Sequence, residues 1–214
     1  MTAVHLIHED AHLLVLDKPA GLLCVPGRGP DKQDCLSARV QRRWPDALVV
    51  HRLDMATSGL VLMARGIEMQ RALSRAFETR QVDKRYEAVV DGLLPAGGDW
   101  QRIDAPIAPD WPRRPLQKIA PEGRPSLTRW RMLHRLPERG ASHLLLEPLT
   151  GRSHQLRLHL ASIGHPILGD ALYGREDSAP RLMLHATRLA LRHPATQAAM
   201  GFESAAPFRA VISP

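Results

Sequence analysis

The chain has 214 residues, enough for one well-buried core and short for two full domains. Apolar residues make up 44% and charged residues 24%, proportions that argue against wholesale disorder. The 29 Lys and Arg against 22 Asp and Glu give a net charge of +7. This excess favours a polyanionic partner, because neutralised phosphates release counterions, although a charge kept for solubility would look the same.

Short apolar runs dominate the first third of the chain. They predict a helix at 36–44, a Gly/Pro-rich loop at 26–30, and strands at 4–7, 13–16, 47–50 and 60–63. A polar turn between the last two strands contains Asp54, followed by Thr57 and Ser58. A carboxylate held there by rigid elements is reachable by a ligand, although a loop Asp beside Thr and Ser is also typical of a simple turn or capping residue.

In the rest of the chain, strands and helices follow one another irregularly. The patterns predict helices at 67–80 and from 153 to before 164, and strands at 84–90, 101–107, 126–133, 143–147, 182–186 and 188–191. Because strands dominate without regular alternation, we predict an α+β fold with a mostly antiparallel mixed sheet flanked by helices and loops. No repeat or long linker divides the chain, so residues 1–214 are expected to form one domain.

The cysteines and the N-terminal composition predict a cytoplasmic protein. Cys24 and Cys35 have no metal-binding spacing and are expected to be free thiols. The first residues lack a basic segment followed by a long apolar stretch, and no apolar run approaches the roughly 20 residues that a membrane span needs. We therefore expect no membrane segment.

Five separated motifs resemble those of one enzyme family. They are D-K-P-A-G-L-L at 17–23, H-R-L-D-M-A-T-S-G-L at 51–60, K-R-Y at 84–86, G-R-S-H-Q-L-R at 151–157, and H-P-I-L-G-D-A-L-Y-G at 165–174. In this order they resemble the motifs of the RluA-type RNA pseudouridine synthases, over a stretch from about Asp17 to Leu191. The resemblance implies the pseudouridine synthase catalytic fold and the isomerisation of uridine to pseudouridine in RNA.

That reaction breaks the N–C glycosidic bond, turns the base and joins the sugar carbon to C5, so it needs no redox change and we predict no cofactor. Glycosyl chemistry generally uses an ionised carboxylate, and the resemblance implies that Asp54 is this group, either as nucleophile or as base at the ribose. It also implies that Arg157 keeps Asp54 ionised and that Tyr86 stacks on the target base. From the residues alone, Arg157 could be an exposed helix charge and Tyr86 a half-buried strand aromatic.

Two basic segments are predicted to bind RNA. The resemblance implies that Arg52 enters the space left by an extruded base, and a phosphate contact is the alternative. The segment D-W-P-R-R-P-L-Q-K at 110–118 is suited to gripping RNA backbone through Arg113, Arg114 and Lys118.

The same segment resembles that of a short subgroup without the N-terminal RNA-binding S4 domain, whose members modify a tRNA anticodon stem-loop and a 23S rRNA hairpin. We accordingly expect no S4 domain, a tRNA or 23S rRNA substrate or both, and a monomeric enzyme.

Other functions fit parts of the sequence. The eleven histidines make a zinc hydrolase one alternative, with His154, His159, His165 and His185 as candidate metal ligands. However, the sequence contains neither H-E-x-x-H nor paired cysteines. We therefore predict no metal and expect His154 to be a buried hydrogen-bonding residue that supports Arg157. A non-catalytic RNA-binding protein would fit the charge but leaves the catalytic signature unexplained. An RluA-type enzyme with a different RNA target is the remaining alternative.

Overall fold

The structure, a computed structural model, describes residues 4–95 and 97–209. The first three residues, which belong to the N-terminal segment considered above, lie outside this range. The chain separates into two units: one contains the chain up to Lys84 together with Ala186–Ala205, and the other contains Arg85–His185 and the chain from Ala206 onward. Whether they behave as one domain, as expected from the sequence, stays a prediction.

Strands outnumber α-helices among the described residues. The helices are α1 (Leu36–Gln41), α2 (Ile67–Glu78) and α3 (Gln155–Ser162). The strands are β1 (His5–Glu9), β2 (Leu13–Lys18), β3 (Ala47–Val49), β4 (Ser58–Arg65), β5 (Asp83–Asp91), β6 (Gln101–Asp104), β7 (Ile107–Pro109), β8 (Gln117–Ile119), β9 (Leu127–Leu136), β10 (Ala141–Pro148), β11 (Leu184–Arg192) and β12 (Ala199–Glu203).

The first unit is built around β4, whose residues from Ser58 to Ala64 are all buried. Strands β2 and β3 pair antiparallel with β4, β1 pairs with β2, and β12 pairs with β11. Alternate side chains of β2 and β4, including Leu13, Val15, Leu60 and Leu62, form an apolar core with Leu73 of α2. This packing holds both ends of the loop that contains the predicted catalytic aspartate.

The second unit contains an antiparallel sheet in the order β5-β10-β9-β6. Helix α3 packs against β8, β9 and β10, and its residues from Gln155 to Leu160 are buried. Strands β7 and β8 form a separate two-stranded hairpin in which Ile107 is opposite Ile119. The sheet, the helix and the hairpin carry the remaining predicted site residues.

The α+β fold class predicted from the sequence is confirmed, with differences in single elements. The two strands predicted at 182–186 and 188–191 are the continuous β11, because the polar Thr187 between them is β-branched and buried within the strand. The strand predicted at 101–107 is two strands, β6 and β7, separated at Pro106, which has no N–H to continue a ladder. Strands β8 and β12 were not predicted.

No helix in the described ranges is long and apolar enough to cross a membrane.

Candidate active site

Asp54 lies in the loop between β3 and β4, in a turn whose backbone is fixed by several hydrogen bonds. The Thr57 amide donates to the Asp54 carbonyl at 3.1 Å, and the Gly21 amide donates to the Met55 carbonyl at 2.8 Å. Asp54 is half-buried, whereas Arg52 is exposed. The structure thus places the carboxylate on a rigid turn and leaves the arginine two residues earlier on the surface.

Lys18 binds the backbone of this turn. It was not predicted from the sequence as a site residue. Its side chain is completely buried, and Nζ donates to the carbonyls of Pro19 and Leu22 at 2.8 Å and of Met55 at 3.1 Å. An ammonium group has three protons for donation, and here three carbonyl oxygens accept from it. The lysine of the D-K-P-A-G motif therefore joins its own loop to the residue after Asp54.

Cys24 and Gly59 restrain the residues on either side of Asp54. The Leu53 amide donates to Sγ of Cys24 at 3.2 Å, and burial raises the pKa of that thiol. Cys24 and Cys35 are both free thiols, as expected. Gly59 has φ +112°, and a Cβ there would lie 2.3 Å from the Ala186 carbonyl oxygen, so only glycine lets the first residues of β4 approach β11 this closely.

His51, which opens the motif, is a structural residue in this unit. Its Nε2 accepts the Leu62 amide proton at 2.9 Å, and its ring stacks on Phe77 with centroids 4.3 Å apart. Burial, and to a lesser extent the charge of Lys84, lowers the pKa of His51 to about 3. A neutral ring with an unprotonated Nε2 is what the amide contact requires.

Tyr86 lies on β5 in the second unit, half-buried, with Leu146 of β10 as its cross-strand partner. The preceding Arg85 has its Nε 3.0 Å from Oε1 of Glu147. Successive strand residues point to opposite faces of a sheet, so this ion pair lies on the face away from the tyrosine ring. Tyr86 is therefore held by a regular ladder rather than by a loop.

Arg157 of α3 is almost completely buried and forms a two-bond ion pair with Asp170. The Nε–Oδ2 distance is 2.8 Å and the Nη2–Oδ1 distance is 2.5 Å. Burial acts to raise the pKa of Asp170, but Arg157 and the amides of Leu172 and Tyr173 lower it below its usual value. The interpretation of Arg157 as an exposed helix charge is wrong.

Helix α3 is anchored at its first residue. The Gln155 amide nitrogen donates to the Leu127 carbonyl and the Thr128 hydroxyl, both at 3.0 Å, and its Oε1 accepts from Thr150 at 2.7 Å. These contacts tie the start of the helix to β9. They fix the position of Arg157, which lies two residues further along the helix.

His154 differs from the prediction. It is half-buried rather than buried, and its Nδ1 lies 2.8 Å from the Tyr173 hydroxyl. Its predicted support of Arg157 stays a prediction. His159 is fully buried and bonds to Thr128 and to the Ala105 carbonyl. In the described ranges, no three His, Cys, Asp or Glu residues are grouped so as to hold a metal ion.

The predicted RNA-binding cations Arg113, Arg114 and Lys118 all lie on the hairpin formed by β7, β8 and the short 3-10 helix Trp111–Arg113 between them. The buried Asp110 carboxylate pairs with Arg113 at 2.6 Å, although 72% of the arginine side chain stays exposed. The Arg114 guanidinium stacks on the Trp111 ring, 3.8 Å from its centroid. Lys118 is 3.7 Å from Glu122.

The site residues thus fall into two groups. Asp54 and Arg52 belong to the first unit, whereas Tyr86, Arg157 and the hairpin belong to the second. Within the second unit the structure brings Arg157 together with Asp170 and Tyr173, neither of which was assigned a role from the sequence. Both stand in the H-P-I-L-G-D-A-L-Y-G motif, so the signal was present. The predicted pairing of Arg157 with Asp54 stays a prediction.

Comparison with known proteins decides the family. The sequence model described as RNA pseudouridylate synthase matches residues 12–162. The chain belongs to the RNA pseudouridylate synthase family. As such an enzyme it is an isomerase that converts uridine in RNA to pseudouridine. The resemblance stated from the sequence motifs is therefore confirmed.

Relatives of this pseudouridine synthase align over almost their whole length. It is 43% identical to the dual-specificity RNA pseudouridine synthase RluA of Escherichia coli K12, covering 95% of this chain and 93% of that one. Its identity to the Yersinia pestis protein of the same name is also 43%, over 94% and 98% of the two chains.

Among solved structures, human RNA pseudouridylate synthase domain containing 1 matches with a TM-score of 0.80 and 30% identity, covering 99% of this chain and 86% of that one. Human RNA pseudouridylate synthase domain containing 4 has a TM-score of 0.75 at 24% identity, covering 95% and 88% of the two chains, and shows the same fold.

Proposed function

We propose that this enzyme isomerises specific uridines in stem-loop RNA, in the tRNA anticodon loop, in a 23S rRNA hairpin, or in both. The observation that carries the proposal is the end-to-end similarity to relatives described as dual-specificity enzymes. The D-W-P-R-R-P-L-Q-K segment supports it, because this segment resembles that of the short subgroup with both substrates. The net charge of +7 is consistent with a phosphate-rich partner.

Asp54 is the group that acts at the ribose, as nucleophile or as base. Its turn is held by Lys18, by Gly21 and by Thr57, so the carboxylate is pre-positioned before RNA binds. During the reaction the bond from C1′ to N1 breaks, the uracil turns, the bond from C1′ to C5 forms, the C5 proton leaves and N1 gains a proton. A rigid carboxylate on one side of the sugar suits both possible roles of Asp54 in this sequence of steps.

Arg157 and Tyr86 complete the proposed catalytic set. Arg157 is the proposed active-site arginine, and its orientation is set by Asp170. Tyr86 stacks on the target base and retains the uracil while it is detached from the sugar; such stacking contributes about 1–3 kcal/mol. Arg52, exposed two residues before Asp54, contacts the RNA where the uridine has been extruded, or at a neighbouring phosphate.

The β7–β8 hairpin provides the proposed RNA-binding surface, through Arg113, Arg114 and Lys118. Trp111 is 64% exposed and is covered on one ring face by the Arg114 guanidinium. An exposed indole next to several cations is suited to stack with an unpaired base while the cations contact phosphates. We include Trp111 in this surface. The cytoplasmic location, the monomeric state and the lack of a cofactor stay predictions.

The test is tritium release from RNA labelled at uracil C5, with tRNA and 23S rRNA transcripts assayed separately. Asp54→Asn should abolish release and leave RNA binding nearly unchanged. Asp46→Asn is the matched control, because Asp46 is a surface residue of the same unit that pairs with Arg65. Release by the wild type from neither transcript would contradict the proposed substrates; tight RNA binding in that experiment would favour a non-catalytic or differently targeted protein.

A further inference from the structure

Tyr173 connects three parts of the second unit through its hydroxyl group. The Gln117 amide donates to this hydroxyl at 2.8 Å, and His154 Nδ1 lies 2.8 Å from it. A hydroxyl that accepts one proton still has its own to donate, so a single path runs from the amide through the tyrosine to the imidazole. Gln117 is the first residue of β8, and His154 is the N-cap of α3.

The same tyrosine is linked to Arg157 directly through its ring and indirectly through Asp170. The Arg157 guanidinium carbon lies 5.5 Å from the centre of the Tyr173 ring. The Tyr173 amide also donates to Oδ1 of Asp170 at 3.1 Å, the oxygen that accepts from Nη2 of Arg157. Displacement of Tyr173 would therefore change both the ring beneath the guanidinium and the carboxylate that orients it.

The backbone conformation of His154, at the start of α3, depends on the Tyr173 hydroxyl. Its backbone has φ 55°, a left-handed conformation that residues other than glycine rarely adopt. Such a conformation persists only where surrounding contacts hold it, and the Tyr173 hydroxyl is one of these contacts. The N-terminus of α3, three residues before Arg157, depends in this way on a side chain that also binds the hairpin.

We infer that Tyr173 is a positioning residue that couples RNA contact at the β7–β8 hairpin to the orientation of Arg157. Gln117 belongs to the same basic segment as Arg114 and Lys118, so RNA held by those cations fixes the backbone amide to which Tyr173 is bonded. The inference rests on the proposed function, since it assumes that this hairpin contacts the substrate. It adds a route by which substrate contact outside the catalytic residues affects turnover.

Tyr173→Phe tests the coupling, because it keeps the ring under Arg157 and removes the hydrogen bonds that join the hydroxyl to Gln117 and His154. On the stem-loop substrate that the wild type modifies, kcat should fall about tenfold while KM changes by less than about twofold. An unchanged kcat, or an effect confined to KM, would overturn the inference. Thermal unfolding shows whether the variant is folded; if it is not, His154→Gly, which tolerates the left-handed backbone but has no side chain to bond the hydroxyl, should reproduce the loss of kcat.

A double-mutant cycle separates coupling from a structural role. Lys118→Gln should raise KM, and its effect combined with Tyr173→Phe should be clearly less than additive in kcat/KM. The control cycle uses Arg52→Gln, since Arg52 lies in the other unit and outside this hydrogen-bonded path; there the effects should add.

Additive effects in both cycles, or no KM change with Lys118→Gln, would overturn the coupling while leaving the isomerase activity intact. Failure of the proposed function would instead appear as no tritium release by the wild type.

Discussion

Arg157 and Asp170 form a two-bond ion pair from which solvent is almost excluded, with 5% of the arginine side chain and none of the aspartate side chain exposed. The pair unites the G-R-S-H-Q-L-R motif with the H-P-I-L-G-D-A-L-Y-G motif. A buried carboxylate therefore orients the arginine that the family resemblance places at the reaction centre.

Asp170→Asn should destabilise the protein strongly, because the Arg157 charge would be left buried without a counter-charge. We expect a loss of about 3–5 kcal/mol in the free energy of unfolding, measured by urea titration, together with a large loss of kcat. Asp46→Asn is the matched control: Asp46 also makes two hydrogen bonds to an arginine, Arg65, but at the surface. It should cost no more than about 1 kcal/mol. Equal effects of the two substitutions would contradict this account.

Lys18→Met should lower both stability and activity, since it preserves side-chain length but removes three donated hydrogen bonds. The carbonyls of Pro19, Leu22 and Met55 would each lose the hydrogen bond from Lys18, although the Met55 carbonyl would keep that from the Gly21 amide, at a total cost of about 3 kcal/mol. The Met55 carbonyl adjoins Asp54, so kcat should fall even at temperatures where the variant is fully folded. Lys32→Met, at an exposed lysine of the same unit, is the control. A stable variant with wild-type kcat would show that Lys18 does not position the turn.

Glu87 should make stability depend on pH in the acid range. Burial acts to raise its pKa, but Arg209 and His143 outweigh burial and lower the pKa from 4.5 to about 2. Because the folded state binds this proton less readily, the stabilisation is fully present above pH 4.5 and is lost as the pH falls toward 2. The difference corresponds to about 3 kcal/mol. Urea unfolding of the wild type and of Glu87→Gln between pH 6 and pH 2 measures it, and parallel pH curves would contradict the prediction.

Trp111→Leu should weaken RNA binding without changing the fold. Base stacking contributes about 1–3 kcal/mol, so we expect Kd for the stem-loop to rise at least about fivefold. The wild-type tryptophan fluorescence should be quenched by RNA, and the variant should lose part of that quenching. Trp100→Phe is the control, because Trp100 lies under Arg129 and Arg131 on another part of the unit. Full quenching in Trp111→Leu would remove Trp111 from the proposed surface.

The sequence by itself determined the family, the fold class and the order of most elements. Short apolar runs predicted β2, β4, β5 and β10, because successive residues of these strands are buried and must therefore be apolar on both faces. Helix α2 was predicted from an apolar stripe at a spacing of three to four, because only one of its faces packs on the core. The motifs located the candidate residues. The chemistry of a site permits few residue types at each position, whereas a position that serves only the fold accepts many.

Only the tertiary structure decided which partner each of these residues has. Lys18 binds carbonyls up to 37 positions away, and Arg157 finds Asp170 13 positions further along the chain. Such contacts leave no periodic pattern, since they depend on where loops end rather than on which face of an element is apolar. Strand β8 is only three residues long and was identified by its pairing with β7. The role inferred for Tyr173 likewise follows from the contacts of its hydroxyl with the hairpin and with α3.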